Sequence, residues 1–399
     1  MNQSAAKATQ AVWSGEEGPN WQRATQVPVV LSVGYGYEDL DDWYEVAQGK
    51  QQGHIYSRNT NPTVEAFESK VAQMEGAESA TSFATGMACI SGIMHTFLRP
   101  GDRVVSIKDT YGGTNRIFLD FLPQLKVDVD LCDTTDHELL EKSISKGCKI
   151  LYLETPTNPT MKMVDIERLA AAAHQVGALV VVDNTFATPI NQNPLQLGAD
   201  LVLHSATKFL GGHADALGGV VCGSRELVEK VFAYREIHGA TLAPMSGYLL
   251  LRGMKTLSLR IERQNQNAQA IAEFLEQHED IEKVYYPGLT SHPEHAIAKK
   301  QMRGFGGMLS FSHKQGFDAL RRLLPSLKYA HLAANLGAVE TTLGVPRTTS
   351  HVESTPEQRE QMGIPEGLVR YSAGIEDVND LISDLDSALK SVKSLCGQS

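Results

Sequence analysis

From residue 63 onward, the apolar positions fall into two alternating patterns. Val64, Phe67, Val71 and Met74 recur at near-helical spacing and predict a helix over Val64–Met74. Short apolar runs follow at Arg103–Ile107, Ile150–Leu153, Leu179–Val182, Leu201–Leu203 and Gly219–Cys222. Three of these are continuous β-branched or leucine stretches, as expected for strands buried on both faces of a mainly parallel sheet. Alanine- and leucine-rich segments such as Ile166–His174 lie between them and predict covering helices. The alternation predicts an α/β domain.

The texture differs on either side. Residues 1 to about 58 mix turn residues (Gly15, Gly18, Pro19, Pro28, Gly34, Gly36, Gly49, Gly53) with scattered aromatics and no sustained period. Such a segment is expected to order by lying on another surface, such as a neighbouring subunit. After about residue 256, helical stretches at Leu257–Gln277 and Pro356–Met362 flank predicted strands at Gly307–Phe311 and Val369–Ser372, which suggests a smaller α+β domain. A chain of 399 residues exceeds one ordinary core. The expected organisation is an arm (1–58), an α/β domain (59–256) and a C-terminal α+β domain (257–399).

Composition narrows the class. Apolar residues at 42% and charged ones at 21% describe a globular protein. A formal charge of −11 with no basic tract argues against nucleic acid or an anionic membrane as partner. No apolar stretch reaches membrane-span length, and MNQSAAKATQ lacks a charged-then-apolar signal pattern. Five scattered cysteines (Cys89, Cys132, Cys148, Cys222, Cys396) without a CxxC pair suit free thiols in a reducing cytoplasm.

The chemistry gathers where predicted strands end. Ligands of open α/β sheets sit at the carboxyl ends of the strands. Ile150–Leu153 runs into Glu154-Thr155-Pro156-Thr157-Asn158-Pro159, Leu179–Val182 into Asp183-Asn184, and Leu201–Leu203 into His204-Ser205-Ala206-Thr207-Lys208. Taken singly, each reads as a capped turn or a solvated side chain. Together, three consecutive strands deliver an amide, a carboxylate and a lysine. Upstream, Ser82–Ala88 opens an apolar helix, whose free N–H groups at Gly86 would make an anion site. It is not a P-loop, and Gly34-Tyr35-Gly36 is not a dinucleotide fingerprint, which excludes a nicotinamide oxidoreductase. A lysine for a Schiff base, an acid for a pyridine nitrogen and hydroxyls beside an anion cup fit pyridoxal 5′-phosphate (PLP).

The strings HIYSRNTNPT, SFATGMA, DTYGGTNRIF, ETPTNPT, VVDNTFATP, HSATKFLGGH, LRGMKTLSLR and LVRYSAGIED occur in this order over roughly residues 28–390. In them the chain resembles the Cys/Met-metabolism family of PLP-dependent enzymes: cystathionine γ-synthases and γ-lyases, methionine γ-lyases and homoserine-ester sulfhydrylases. The resemblance implies an aspartate aminotransferase-like, fold type I architecture. It implies that Lys208 carries PLP and shuttles protons, and that Asp183 pairs with the pyridine nitrogen. Gly86, Met87, Ser205 and Thr207 would bind the phosphate, joined by Tyr56 and Arg58 from a neighbouring subunit. Tyr111 would stack on the ring and act as an acid or base, Asn158 would contact the ring oxygen or the substrate, and Arg370 would clamp the substrate carboxylate. For Arg58 and Arg370 the plainer alternative is a surface ion pair. The implied assembly is a homotetramer, a dimer of dimers with shared sites.

The resemblance leaves the reaction open. Elimination or replacement at Cγ of a homoserine-type or sulfur amino acid is expected, with β-elimination as the alternative and a non-catalytic PLP-binding protein as a third reading. Gly113 stands where methionine γ-lyases carry cysteine, and Ile55 where cystathionine-handling members place an acid. Arg235-Glu236 falls where methionine γ-lyases carry a lysine-aspartate pair. Asn335 stands where the family often has serine beside the substrate carboxylate. Glu340 either is a solvated loop acid or selects a cationic distal group, as in cystathionine or the guanidino-oxy group of canavanine.

Overall fold

The apolar runs become a seven-stranded sheet in the computed structural model of the chain, which describes residues 5–16, 23–349, 355–361 and 363–396. Its strands are β1 (Ser79–Phe83), β2 (Arg103–Ile107), β3 (Asp128–Cys132), β4 (Ile150–Glu154), β5 (Leu179–Asp183), β6 (Leu201–Ser205) and β7 (Gly219–Gly223). Their order is β1-β7-β6-β5-β4-β2-β3. Only β7 runs against the others, antiparallel to both β1 and β6. The five strands expected from the sequence are present, four of them a residue or two longer at the carboxyl end. β1 and β3 were not expected. One is mostly small polar residues, and the other alternates acids with apolar residues at the sheet edge.

Both faces of this sheet are dry. Tyr152, Val181 and Leu203 meet Ile90, Ile93 and Phe118 on one side. Leu151, Leu153, Val180 and Val182 meet Leu169, Ala170 and Ala173 on the other. The alternation sends Glu154 and Asp183 to the first face, the one covered by the helix Gly86–Phe97.

A second sheet has the order β10-β11-β12-β9-β8. Its strands are β8 (Ile281–Tyr285), β9 (Met308–His313), β10 (His331–Leu332), β11 (Thr342–Gly344) and β12 (Leu368–Ser372). β9 and β12 match the two expected strands, shifted by one or two residues. The other three are short or carry exposed charges such as Glu282 and Lys283, so no apolar run marks them. The helix Leu257–Glu276 spans both regions. Its Leu257 and Ile261 pack with Leu250 and Met308, while Ile271 and Leu275 join the core of the second sheet.

The stretch read as an irregular arm contains two short helices, Lys7–Trp13 and Leu40–Ala47. The first lies on its own protomer, because buried Lys70 donates to the Ala11 carbonyl (2.8 Å) and to Glu16 (3.0 Å). Farther along, Leu31, Val33, Leu40, Trp43, Tyr44 and Tyr56 are exposed. Gly18, Pro19 and Met362 lie outside the described residues. Cys89, Cys132, Cys148 and Cys222 are free thiols, while the Cys396 side chain falls outside the described part. No helix among the described residues is long and apolar enough to cross a membrane.

The start of the Gly86–Phe97 helix rests directly on β7. A Cβ at Gly219 would lie 2.4 Å from the Thr85 carbonyl oxygen and 2.5 Å from Cys89 Sγ. Gly219→Ala must therefore displace the backbone that opens the helix. The expected loss is about 1–3 kcal/mol of stability, read as a lower thermal midpoint of the protein without cofactor. An unchanged midpoint would show that the helix start moves freely.

Candidate active site

The carboxyl ends of β4, β5 and β6, together with the start of the Gly86–Phe97 helix and β12, enclose a cavity of about 200 Å³. Gly86, Met87, Tyr111, Asn158, Asp183, Ser205, Thr207, Lys208 and Arg370 all line it. Nine of the thirteen residues singled out from the sequence therefore converge, although they span 285 positions of the chain (370 − 86 + 1).

Asp183 ends β5. Burial raises its carboxyl above the ordinary range, and Thr185 opposes this by donating its backbone N–H (3.0 Å) and hydroxyl to one oxygen. The same Thr185 hydroxyl accepts the Ser205 N–H (2.9 Å), which ties β5 to the lysine-bearing segment. The other Asp183 oxygen has the Tyr152 hydroxyl at 3.5 Å. A cationic nitrogen in the cavity would pull this carboxyl back toward its charged form.

The anion cup is built from main chain. Thr85 caps the helix, and its hydroxyl takes the Ala88 N–H (3.1 Å). Cys89 bonds to the Thr85 carbonyl. The N–H groups of Gly86 and Met87 have no partner within the helix by its geometry, and both residues line the cavity. A Cβ at Gly86 would come within 2.8 Å of Ser205 Cβ, so only glycine lets the helix start approach the hydroxyl this closely. The Thr207 hydroxyl sits nearby, held by the Gly218 N–H (3.0 Å).

Lys208 Nζ donates to Asn335 Oδ1 at 3.0 Å. Burial first, and the Arg370 charge second, lower its pKa to about 8. Arg370 is itself buried, which lowers it to about 10. It reaches Asn158 Oδ1 and the Asn335 carbonyl, both at 3.3 Å, and no ion pair with a carboxylate is seen for it among the described residues. A surface ion pair is thus ruled out for Arg370. Such a guanidinium suits an incoming carboxylate.

Tyr111 lines the cavity with a half-exposed ring. A Cβ at Gly113 would lie 2.8 Å from Met87 Sδ and 2.9 Å from the Tyr111 ring, so a side chain there would push on both. Glu154 also lines the cavity, and its carboxylate accepts the Tyr111 N–H at 2.9 Å. It is not among the site residues expected from the sequence, although it ends an apolar run just as Asp183 does, and that rule points to it.

Four expected residues do not line the cavity within one protomer. Asn335 stands just behind Lys208. Glu340 is exposed. Tyr56 is exposed with Arg58 stacked on its ring at 5.3 Å. Buried Arg235 donates to the Asn59 carbonyl and Glu236 accepts from the Asn59 side chain, so this pair anchors the root of that segment.

These residues fit PLP. The Gly86 cradle, the two hydroxyls and the helix N–H groups would suit a phosphate, the lysine is an amine of lowered basicity, and a buried acid lines the same cavity. A family model described as Cys/Met metabolism PLP-dependent enzyme matches residues 8–390. The chain is 44% identical over 346 residues to an L-methionine gamma-lyase of Fusobacterium nucleatum subsp. polymorphum, covering 86% of this chain and 88% of that one. It is 42% identical over 389 residues to a cystathionine gamma-lyase of Bacillus subtilis (strain 168), covering 97% and 100%. A crystal structure of cystathionine gamma synthase from Xanthomonas oryzae pv. oryzae in complex with aminoacrylate and cysteine superimposes with a TM-score of 0.93 at 36% identity, covering 98% and 99%.

The lowered pKa of Lys208 has a kinetic signature. Only the neutral amine attacks an aldehyde, and its share grows as pH rises toward the pKa. Capture of added PLP by the cofactor-free protein should speed up about tenfold from pH 6 to 7 and level off above about 8. Stopped-flow absorbance would follow it. A rate still climbing at pH 10 would mean that Lys208 behaves as an ordinary lysine, and Lys208→Ala should capture none.

Proposed function

The chain belongs to the Cys/Met metabolism family of PLP-dependent enzymes, and from that premise we propose how its own residues divide the work. The reaction is γ-elimination or γ-replacement on a homoserine-type or sulfur amino acid. One observation supports the residue assignment: the amine of Lys208 shares a cavity with Arg370, a buried cation without a carboxylate partner among the described residues.

When bound, PLP supplies the electron sink that makes protons on Cα and Cβ of an amino acid removable. Arg370 takes the substrate carboxylate, helped by the Asn158 carboxamide, and this orients the Cα–H bond toward Lys208. The Lys208 amine then accepts a proton from Cα and moves protons along the substrate chain. Asn335 holds that amine from behind as an acceptor. Tyr111 provides a hydroxyl near Cγ and delivers a proton to the leaving group. Asp183 carries the charge opposite the pyridine nitrogen. Gly86, Met87, Ser205 and Thr207 bind the phosphate and keep the ring from drifting.

Tyr56 and Arg58 complete a partner's phosphate site in this reading, supported by their exposure and by the apolar surface of the same arm. The assembly is then at least a dimer, and a tetramer as a pair of dimers. The division into arm (1–58), PLP-binding domain (59–256) and C-terminal domain (257–399) and a cytoplasmic location belong to the same proposal. Glu340 would meet a distal ammonium or guanidino-oxy group only if the bound substrate extends out of the cavity toward the surface. Gly113, standing where methionine γ-lyases carry cysteine, favours a substrate other than methionine in this reading.

A panel of O-acetylhomoserine, O-succinylhomoserine, cystathionine, methionine, homocysteine and canavanine, with and without a thiol, tests the reaction by product mass. A four-carbon oxo acid with ammonia, or a γ-substituted amino acid, is expected. Pyruvate from cystathionine would instead establish β-elimination, and no product with any compound would leave a PLP-binding protein.

Subunit sharing is tested by mixing. Arg58→Ala and Lys208→Ala should each be inactive or weak, and their mixed oligomers should regain up to about a quarter of the parent activity through sites that draw both intact residues. Mixed oligomers without any regain would remove Arg58 from the partner's site.

A further inference from the structure

Glu154 is a buried acid inside the cavity, and among the described residues no cation forms an ion pair with it. It ends β4 directly opposite Asp183 in the parallel register, so the two carboxyls project from one face of the sheet side by side. Filling this space with an apolar side chain would avoid placing a second acid beside the first. What the carboxyl does instead is accept the Tyr111 N–H at 2.9 Å, with the Asn158 N–H as a second, more weakly placed neighbour.

Those two donors come from different segments. Tyr111 leads the five-residue helix Gly112–Arg116 that follows the β2 exit, and its side chain makes no cap bond there. Its ring is half-exposed, so packing on one side only cannot fix it. The main chain must, and that chain is tied to β4 through Glu154. Asn158 sits in the loop after β4, between two cis X–Pro bonds, with its carboxamide against Arg370.

We propose that Glu154 is a positioning residue: by accepting the Tyr111 N–H, with the Asn158 N–H as its neighbour in the loop after β4, it sets the phenol and the carboxamide against the bound cofactor and substrate. The groups around it agree. Burial foremost, and the Asp183 charge next, push the Glu154 carboxyl well above its ordinary range, with Asp109 adding to the effect. Tyr152 on the same strand is neutral, and Lys208 and Arg370 lie among the other residues lining the cavity. Asp183 has the Thr185 donors, which Glu154 lacks. A neutral Glu154 keeps its acceptor oxygen, so positioning does not depend on its charge.

This rests on the proposed PLP function, and the test separates the two. Full-length holoenzyme is compared with Glu154→Gln and Glu154→Ala by kcat, KM, visible absorbance and the induced circular dichroism of the cofactor band. Glu154→Gln retains an acceptor oxygen and should stay within about threefold of the parent in kcat, with the same dichroism. Glu154→Ala should keep the cofactor and lose roughly ten- to a hundredfold in kcat, with KM changed only a few-fold and the dichroism altered. Should the alanine variant fail to fold, Glu154→Met, which fills the space without an acceptor of comparable strength, takes its place under the same criteria. An alanine variant with parental kcat and dichroism overturns the positioning role. So does a glutamine variant as impaired as alanine, since charge would then be what matters. A parent protein without a cofactor band or turnover would instead overturn the functional reading.

Discussion

The site depends on strand register. In the parallel pairing of β4, β5 and β6, Glu154 lies opposite Asp183 and Asp183 opposite Leu203, which puts Ser205 two residues beyond that edge. Slipping any of these strands by one residue would turn its last side chain to the far face. Register is enforced from below by side chains that bury fully on both faces, Tyr152, Val181 and Leu203 on one and Leu153, Val182 and Val202 on the other. The chemistry is thus held at one edge by an apolar interior that has no chemistry of its own.

The second constraint is electrostatic. A chain of net charge −11 must hold an anionic cofactor and a carboxylate substrate, so attraction has to be local. In the proposed reading the Gly86 cup would do this without formal charge, through backbone N–H groups and two hydroxyls. Arg370 would do it with a charge that carries a desolvation cost in the empty protein. Its burial depresses its own basicity, and its charge helps depress that of Lys208. In the cofactor-free protein, a carboxylate bound to Arg370 would offset the first effect and weaken the second.

Much of this was legible in the sequence, for reasons that particular residues make plain. β4, β5 and β6 are continuous apolar runs, and a polar residue ending such a run marks the ligand edge. The same rule names Glu154, but the Glu-Thr-Pro-Thr-Asn-Pro string drew attention to its amide rather than its acid. β1 and β3 escaped because Ser79, Thr81, Ser82, Asp128 and Asp130 leave no run to see, although β7 and β2 pair with them. The arm escaped differently. Its first helix is recognisable only through Lys70, whose buried amine needs the Ala11 carbonyl and Glu16, a contact across 59 positions that no local pattern announces.

The part of the chemistry that the sequence leaves open is also the part that one protomer leaves open. The groups that line the cavity beside Lys208, among them Gly86, Asn158, Asp183 and Arg370, are buried or half-buried. What would distinguish one distal group from another lies at the mouth: Tyr111 is half-exposed, Leu217 is exposed on the rim, Glu340 is exposed, and Ile55 precedes an exposed Tyr56. Surface side chains acquire fixed positions only when something covers them. An arm with Leu31, Val33, Trp43 and Tyr44 turned outward is apolar surface of the kind that buries against another chain. If that surface closes over a neighbouring cavity mouth, substrate selection is set by residues of two chains, while the proton chemistry at Lys208 is set by one.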